Sequence, residues 1–351
     1  MIYLHIGLPR VMSTSIQQYF DANESFQLKY IGYKPKSPFP NKYADKLISE
    51  FLNIDLRFGD SRHFESHKTK YADYFDKLVQ DFGNLFISCE NISLNIEIFE
   101  PDILCKINRV LDVLPASQPV KIISCFRDVM EHLKSMYKAF VYIGYSESFD
   151  YFTNELLFYR AVSFLEYLYP HVIAQRLSPL LSQRVSLYML FPEYSDMSVN
   201  STSLNCINQI ESVVNEDGIF MPSNQHVACQ WTNKSLPSSQ IYILSYLNKI
   251  SGIPVTISSL HEKSRFAYSK DLSNCFDKLK ILHKNRNLAK MFGSLLPFVP
   301  DIRIRSIQQF SEYCSLNYKF SQEYFSLNSL DNIRLLGDWR TCYGFLNHPE
   351  G

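Results

Sequence analysis

The residues best placed to do chemistry begin within the first fifteen positions. Arg10, Ser13, Thr14 and Ser15 follow the apolar run Ile2–Ile6 and the turn formers Gly7 and Pro9. A strand, a tight turn, a group of hydroxyls and then a helical pattern together build an anion site. The first N–H groups of a helix have no partner within it, and the helix dipole adds partial positive charge there. Arg10 adds a full charge, so phosphate or sulfate is the natural guest. The alternative is a capped helix behind a buried strand, with no ligand. A second group is Glu90, which follows the apolar run 84–89 and precedes Asn91 and Ser93. Ligands of parallel sheets bind beyond the carboxyl ends of strands, so a carboxylate there is in position to move a proton or to accept backbone N–H bonds. Arg127 ends the run 120–126; its planar fork suits phosphate, although a strand-end Arg also commonly makes a surface ion pair. His63 and His67 have the i, i+4 spacing of a metal seat, but no third ligand is evident in the sequence, and a solvated helix face is the simpler reading.

The elements that must hold these groups read as alternating strands and helices. Strands are predicted at 2–6, 27–31, 84–89, 120–126 and 185–191. Helices are predicted at 14–22 with Ser13 as N-cap, through most of 41–82, and at 102–114, 203–215 and 239–250. Another opens at Asp128, with Glu131 as capping-box partner, and closes at Gly144. The Pro-rich segment 34–40 and the polar stretch 216–238, which carries Trp231, Asn233, Lys234 and Ser235, read as loops. Helical segments and loops alone are expected after that. The fold class is therefore α/β, a parallel sheet flanked by helices with a largely helical C-terminal part. No linker divides the chain, so a single domain over 1–351 is expected, with its binding core at about 1–195 and a helical, loop-rich remainder at 196–351.

Bulk properties narrow the function. The chain has 351 residues, 46% of them hydrophobic, which predicts a globular protein. Its formal net charge of zero argues against a broad nucleic-acid-binding surface. Eight cysteines without a C-x-x-C pair exclude the familiar zinc spacing and fit a reducing compartment. No basic, apolar leader and no run of about 18 apolar residues are found, which predicts a cytoplasmic protein, compatible with work at the inner face of a membrane.

The first segment lacks the Gly-Lys pair of a triphosphate-binding loop. Gly7-Leu8-Pro9-Arg10, followed by Ser13-Thr14-Ser15, instead resembles the 5′-phosphosulfate loop of sulfotransferases that use 3′-phosphoadenosine 5′-phosphosulfate (PAPS). Met12 stands where that family most often has Gly. Arg127, with Ser135 eight residues on, resembles the family's 3′-phosphate site, and Tyr137 matches a frequent position. Residues 85–93 look like the strand and Ser-x-Glu turn of bacterial sulfotransferases acting on polysaccharides. Asn233-Lys234-Ser235-Leu236 before Leu247-Asn248, and the stretch from Asn317 to Tyr324-Phe325, resemble patterns of the same group. Gly337-Asp338-Trp339 resembles a motif of cytosolic small-molecule sulfotransferases, but Asn332-Ile333-Arg334 replaces the Arg-Lys-Gly that should precede it, so the match is set aside.

The resemblance implies a P-loop-NTPase-like sheet and transfer of a sulfuryl group from PAPS to a hydroxyl or amine. The acceptor would be a glycan or glycolipid first and a small molecule or peptide second. Arg10 would offset charge on the leaving phosphate, Ser13, Thr14 and Ser15 would hold the 5′-phosphate and sulfate, and Arg127 and Ser135 would hold the 3′-phosphate. Lys234 would reach the nucleotide from a late loop. Glu90 would be the general base, its pKa raised by burial, with His63 or His67 as the fallback. No metal is required by this chemistry. Aromatic residues between 137 and 169 either line an acceptor site or fill the core. Two other readings stay open: a sulfotransferase-like binding protein without turnover, for which Met12 argues, and a nucleotide kinase, against which the missing Gly-Lys argues.

Overall fold

The computed structural model describes residues 1–7, 11, 13–23, 27–32, 41–56, 61–93, 101–158, 168–192, 199–219, 238–251, 272–293, 308–327 and 331–347. Arg10, Met12 and Lys234 lie outside the described residues.

Six parallel strands form one sheet in the order β2-β3-β1-β4-β5-β6. They are β1 (Ile2–His5), β2 (Lys29–Gly32), β3 (Leu85–Ser88), β4 (Val120–Cys125), β5 (Val185–Leu190) and β6 (Ile333–Leu336). Strand β1 lies at the centre, with His5 in register with Ser88 of β3 on one side and Ile123 of β4 on the other. The first four strands are buried along their whole length. Helices cover both faces of such a sheet, which is why its strands read as continuous apolar runs without alternation.

The helices that position the candidate groups are α1 (Ser13–Ala22), α2 (Lys42–Lys46), α3 (Ser61–Phe82), α4 (Ile103–Val113) and α5 (Val129–Tyr142). Beyond them come α6 (Phe149–Phe158), α7 (Pro170–Leu177), α8 (Val199–Asn215), α9 (Ser238–Ile250), α10 (Leu272–Gly293) and α11 (Gln308–Leu327). Phe20 of α1 stacks on Phe86 of β3 with ring centroids 3.7 Å apart, fixing the first helix over the sheet. On the sheet, Lys121 reaches Asp217 at 2.8 Å and Glu216 at 3.2 Å, while Tyr3 donates to Asp217 at 2.5 Å and Tyr188 to Glu216 at 3.0 Å. This network satisfies a buried lysine and ties the end of α8 to three strands. No helix among the described residues is long and apolar enough to cross a membrane.

The stretch 41–82 is mainly helical, as expected, with a π-helical run, Leu47–Asp55, between α2 and α3; there the Leu56 N–H donates five residues back to Phe51 at 2.9 Å. Two expectations need correction. The C-terminal part is not only helix and loop, because β6 pairs with β5 and completes the sheet. That strand is a short edge strand with an exposed Arg334, so it lacks the fully apolar signature of its neighbours. Ser13 is the first residue of α1, not its cap.

The aromatic residues around α5 settle in the core. Phe152 lies 5.2–5.6 Å, centroid to centroid, from Phe140, Tyr145 and Tyr137, and the Tyr137 hydroxyl donates to the Glu147 carbonyl at 3.0 Å. Asn248 donates to the Val141 and Tyr145 carbonyls at 2.9 and 3.2 Å and so closes the end of α5. Gly337 turns the chain after β6 with φ +98°, where a Cβ would stand 2.3 Å from the Phe191 carbonyl oxygen; only glycine fits. Trp339 then packs on Tyr318 and Phe325, so this Gly-Asp-Trp segment has a structural role.

Candidate functional site

Of the described candidate groups, Ser13, Glu90 and Arg127 follow the carboxyl ends of β1, β3 and β4. Strand β1 is held on both sides here, the Ile6 N–H donating to Ile123 at 3.0 Å and the Cys89 N–H to His5 at 3.2 Å. The chain leaves at Gly7 and re-enters regular structure at Ser13. The first turn of α1 thus opens onto the strand ends, with the buried Ser13 inside and Thr14 and Ser15 half-buried. That turn contains no acidic residue.

A carboxylate is supplied from β3 instead. After Ser88 the chain makes a single 3-10 turn, Glu90–Ile92. Glu90 is half-buried and accepts the Ser13 hydroxyl. An anionic acceptor at the start of a helix is favoured by the helix dipole, which accounts for Ser13 turning to Glu90 and not back to its own backbone. Ser93 locks this turn to the first loop, its hydroxyl donating to the Gly7 carbonyl at 2.7 Å. Asn91 ties it to the π-helical run, donating to the Leu52 carbonyl at 3.4 Å, while Lys106 of α4 donates to the Asn91 carbonyl at 2.8 Å.

Beneath the turn lies His5, a residue that sequence reasoning did not single out. It is fully buried, with Nδ1 2.7 Å from the Ser88 hydroxyl and Nε2 without a hydrogen-bond partner among the described residues. Its ring lies against Gly7: a Cβ there would come within 2.6 Å of His5 Cε1 and 3.4 Å of Ser13 Cβ. The glycine is therefore required by close approach. Its signal in the sequence was a polar residue inside an apolar strand, directly before Ile-Gly.

Burial pushes the His5 imidazole from its ordinary 6.5 down to about 4, so the ring is neutral at neutral pH. The unfolded chain takes up this proton below pH 6.5, whereas the folded one resists until about pH 4. The contribution to stability is thus complete above pH 6.5 and falls as pH drops towards 4, by up to about 3 kcal/mol. Urea unfolding at pH 7.5 and pH 4.5 checks this. His5→Asn, which keeps a partner for Ser88 without titrating, is expected to lose less stability over that interval than the parent; equal losses would refute the assignment. His171, also pushed down to about 4 by burial, acts in the same direction in both proteins, so the difference isolates His5.

On the other side of β1, β4 delivers Arg127 to the same edge. The side chain is 19% exposed, and its guanidinium lies 3.9 Å from Glu131. Asp128 caps α5 as expected, accepting from the Glu131 N–H at 3.0 Å, while the Glu131 carboxylate turns to Lys134 at 2.9 Å. Ser135 is half-buried on the same helix. The chain matches no known protein family, no curated protein and no solved structure in the comparisons made.

The described residues thus bring Ser13 and Glu90 into direct contact and set Arg127 and Ser135 in the neighbouring strand–helix unit. His63 and His67 engage Asp55, a residue not anticipated from sequence. The electrostatics at the strand ends are mixed: a helix N-terminus and a guanidinium favour an anion, while the Glu90 carboxylate adds negative charge beside Ser13.

Proposed function

We propose that this protein transfers a sulfuryl group from PAPS to an acceptor hydroxyl or amine, with a glycan or glycolipid as the preferred acceptor class. The observation that carries the reading is the Ser13–Glu90 contact at the start of α1, beside the strand that ends in Arg127. In this reading the contact sets a helix start suited to an anion beside a proton acceptor, at the carboxyl ends of parallel strands where ligands bind. The resemblance of residues 7–15 and 127–135 to the two nucleotide motifs of sulfotransferases supplies the choice of donor.

In this reading the N–H groups and hydroxyls of the first turn of α1 hold the 5′-phosphosulfate, and Arg10 neutralises charge growing on the leaving phosphate. Arg127 and Ser135 hold the 3′-phosphate, and Lys234 adds a contact from its loop. An acceptor oxygen or nitrogen forms its bond to sulfur as the sulfur–oxygen bond to the 5′-phosphate breaks. The acceptor proton passes to Glu90, and 3′-phosphoadenosine 5′-phosphate (PAP) departs. Positioning and charge stabilisation account for the rate.

One observation favours a second reading. A hydroxyl at a helix start paired with a carboxylate at the end of the adjacent strand is also how phosphoryl-transfer enzymes hold magnesium. A thermal-shift titration separates the two. PAP is expected to raise the melting temperature, by an amount equivalent to about 2.7 kcal/mol at one hundred times its dissociation constant. AMP and ATP–magnesium are expected to give far smaller shifts. A shift with ATP–magnesium and none with PAP would replace the first reading by the second.

A further inference from the structure

We propose that Asp55, His63 and His67 form a binding site for a divalent transition-metal ion, with Zn2+ the ion that suits them best. The sequence offered two imidazoles at i, i+4 without a third ligand. The fold supplies it from the last residue of the π-helical run: one ligand atom from each of the three side chains lies within 4.8 Å of the others. His63 Nε2 is 3.0 Å from Asp55 Oδ1, and His67 Nδ1 is 3.6 Å from Asp55 Oδ2. Ligands about 2.0–2.1 Å from a tetrahedral zinc ion are about 3.3 Å from one another, and each imidazole already stands within 0.3 Å of that separation from one of the two Asp55 oxygens.

The surroundings fit an ion better than a simple ion pair. The Asp55 side chain is 3% exposed, yet two imidazoles converge on it, with ring centroids 4.5 Å apart. Two imidazoles and a carboxylate that converge this closely present an N,N,O donor set of the kind that binds one transition-metal cation. The carboxylate is oriented from behind, the Tyr71 hydroxyl donating to Oδ2 at 2.6 Å and Arg109 donating to the Asp55 backbone oxygen at 3.0 Å. Such outer partners fix a ligand's direction. His67 Nδ1 also lies 3.2 Å from the His63 carbonyl, a local bond that the ion would replace.

The π-helix gives the local reason. Its wider turn carries Asp55 beneath α3, and π-helical turns are found most often at functional sites. With the His63 and His67 side chains 50% and 35% exposed, the outer side faces solvent. Three protein ligands with an open position describe a site that keeps a water or takes an anionic ligand, not a closed structural centre. Sulfuryl transfer needs no metal, so the site stands independently of the proposed activity.

The test uses the full-length protein after treatment with a chelator. Calorimetric titration with Zn2+ is expected to show one equivalent bound and a raised melting temperature. His63 is exposed and His67 half-buried, and Asp55 keeps the Tyr71 hydrogen bond in either variant, so His63→Ala and His67→Ala should fold without metal and melt within a few degrees of the parent. Each is expected to bind Zn2+ more than about 100-fold more weakly, beyond the loss typical of an outer-shell change. Tyr71→Phe, which touches the carboxylate without being a ligand, is expected to weaken binding by only about 10–100-fold, less than either histidine substitution. Zn2+ binding that survives both histidine substitutions would overturn the proposal. So would a Co2+ spectrum with thiolate charge-transfer bands, which would move the ion to the cysteines, or an affinity no greater than that of the double histidine variant.

Discussion

Glu90→Gln is expected to lower sulfuryl transfer by about 10²–10⁴-fold while leaving PAP binding unchanged. The substitution removes a charge and a proton acceptor and little else. Gln keeps an oxygen at the position that receives the Ser13 hydroxyl, so the clasp between α1 and the turn after β3 persists. The Ser93 bond to Gly7 and the Asn91 bond to Leu52 hold that turn by other residues. A loss of turnover therefore reports chemistry and not collapse of the loop. The measurement is transfer of label from PAPS to a panel of glycan acceptors, with PAP-induced thermal shift as the control for binding. A variant that turns over like the parent would reduce Glu90 to a structural carboxylate.

Arg127→Ala is expected to weaken PAP binding by roughly 10–150-fold, the equivalent of about 1.5–3 kcal/mol for hydrogen bonds to a charged group. The loss should fall on the 3′-phosphate alone. AMP, which lacks that group, is expected to bind parent and variant alike, so the preference for PAP over AMP collapses. The partly exposed side chain has Glu131 as its neighbour at the helix start, and that carboxylate retains Lys134 when Arg127 is removed. Thermal melting of the variant without nucleotide separates a loss of binding from a loss of folding. Arg127→Lys is expected to recover only part of the affinity, because an ammonium group cannot make the two parallel bonds of the guanidinium fork. Unchanged PAP affinity in the Ala variant, measured by titration calorimetry, would remove Arg127 from the nucleotide site and with it the argument for PAPS over other adenine nucleotides.

Much of this molecule was legible before folding was considered. The parallel strands β1, β3, β4 and β5 were read within one or two residues, because a strand covered on both faces is dominated by apolar residues, with polar ones such as His5 and Lys121 the exceptions. Asp128 declared the start of α5, since a cap places a specific side chain at a specific offset. The order strand, turn, hydroxyls, helix at residues 2–22 was sufficient to locate α1 and its start. Local sequence determines such features because the interactions that create them are local.

Tertiary structure decided the rest. Residues 84–93 indicated a strand followed by a carboxylate, but only the 2-3-1-4-5-6 strand order put Glu90 against Ser13, 77 residues away. β6 was hidden because its apolar run is brief and takes its meaning from pairing with β5. His5 looked like part of an apolar strand; its isolation from water arises from Ser88 beside it and Gly7 above it. The clearest case is Asp55. Its role depends on a π-helical turn whose wider path delivers the carboxylate to two histidines of the next helix, and on Tyr71 and Arg109 holding it there. Nothing in the spacing of 55, 63 and 67 reveals this, since only the i, i+4 pair lies on one continuous helix. The sequence by itself determined the strands, the first helix and its cluster of hydroxyls. The fold determined which charged groups meet, because those meetings close long loops through space.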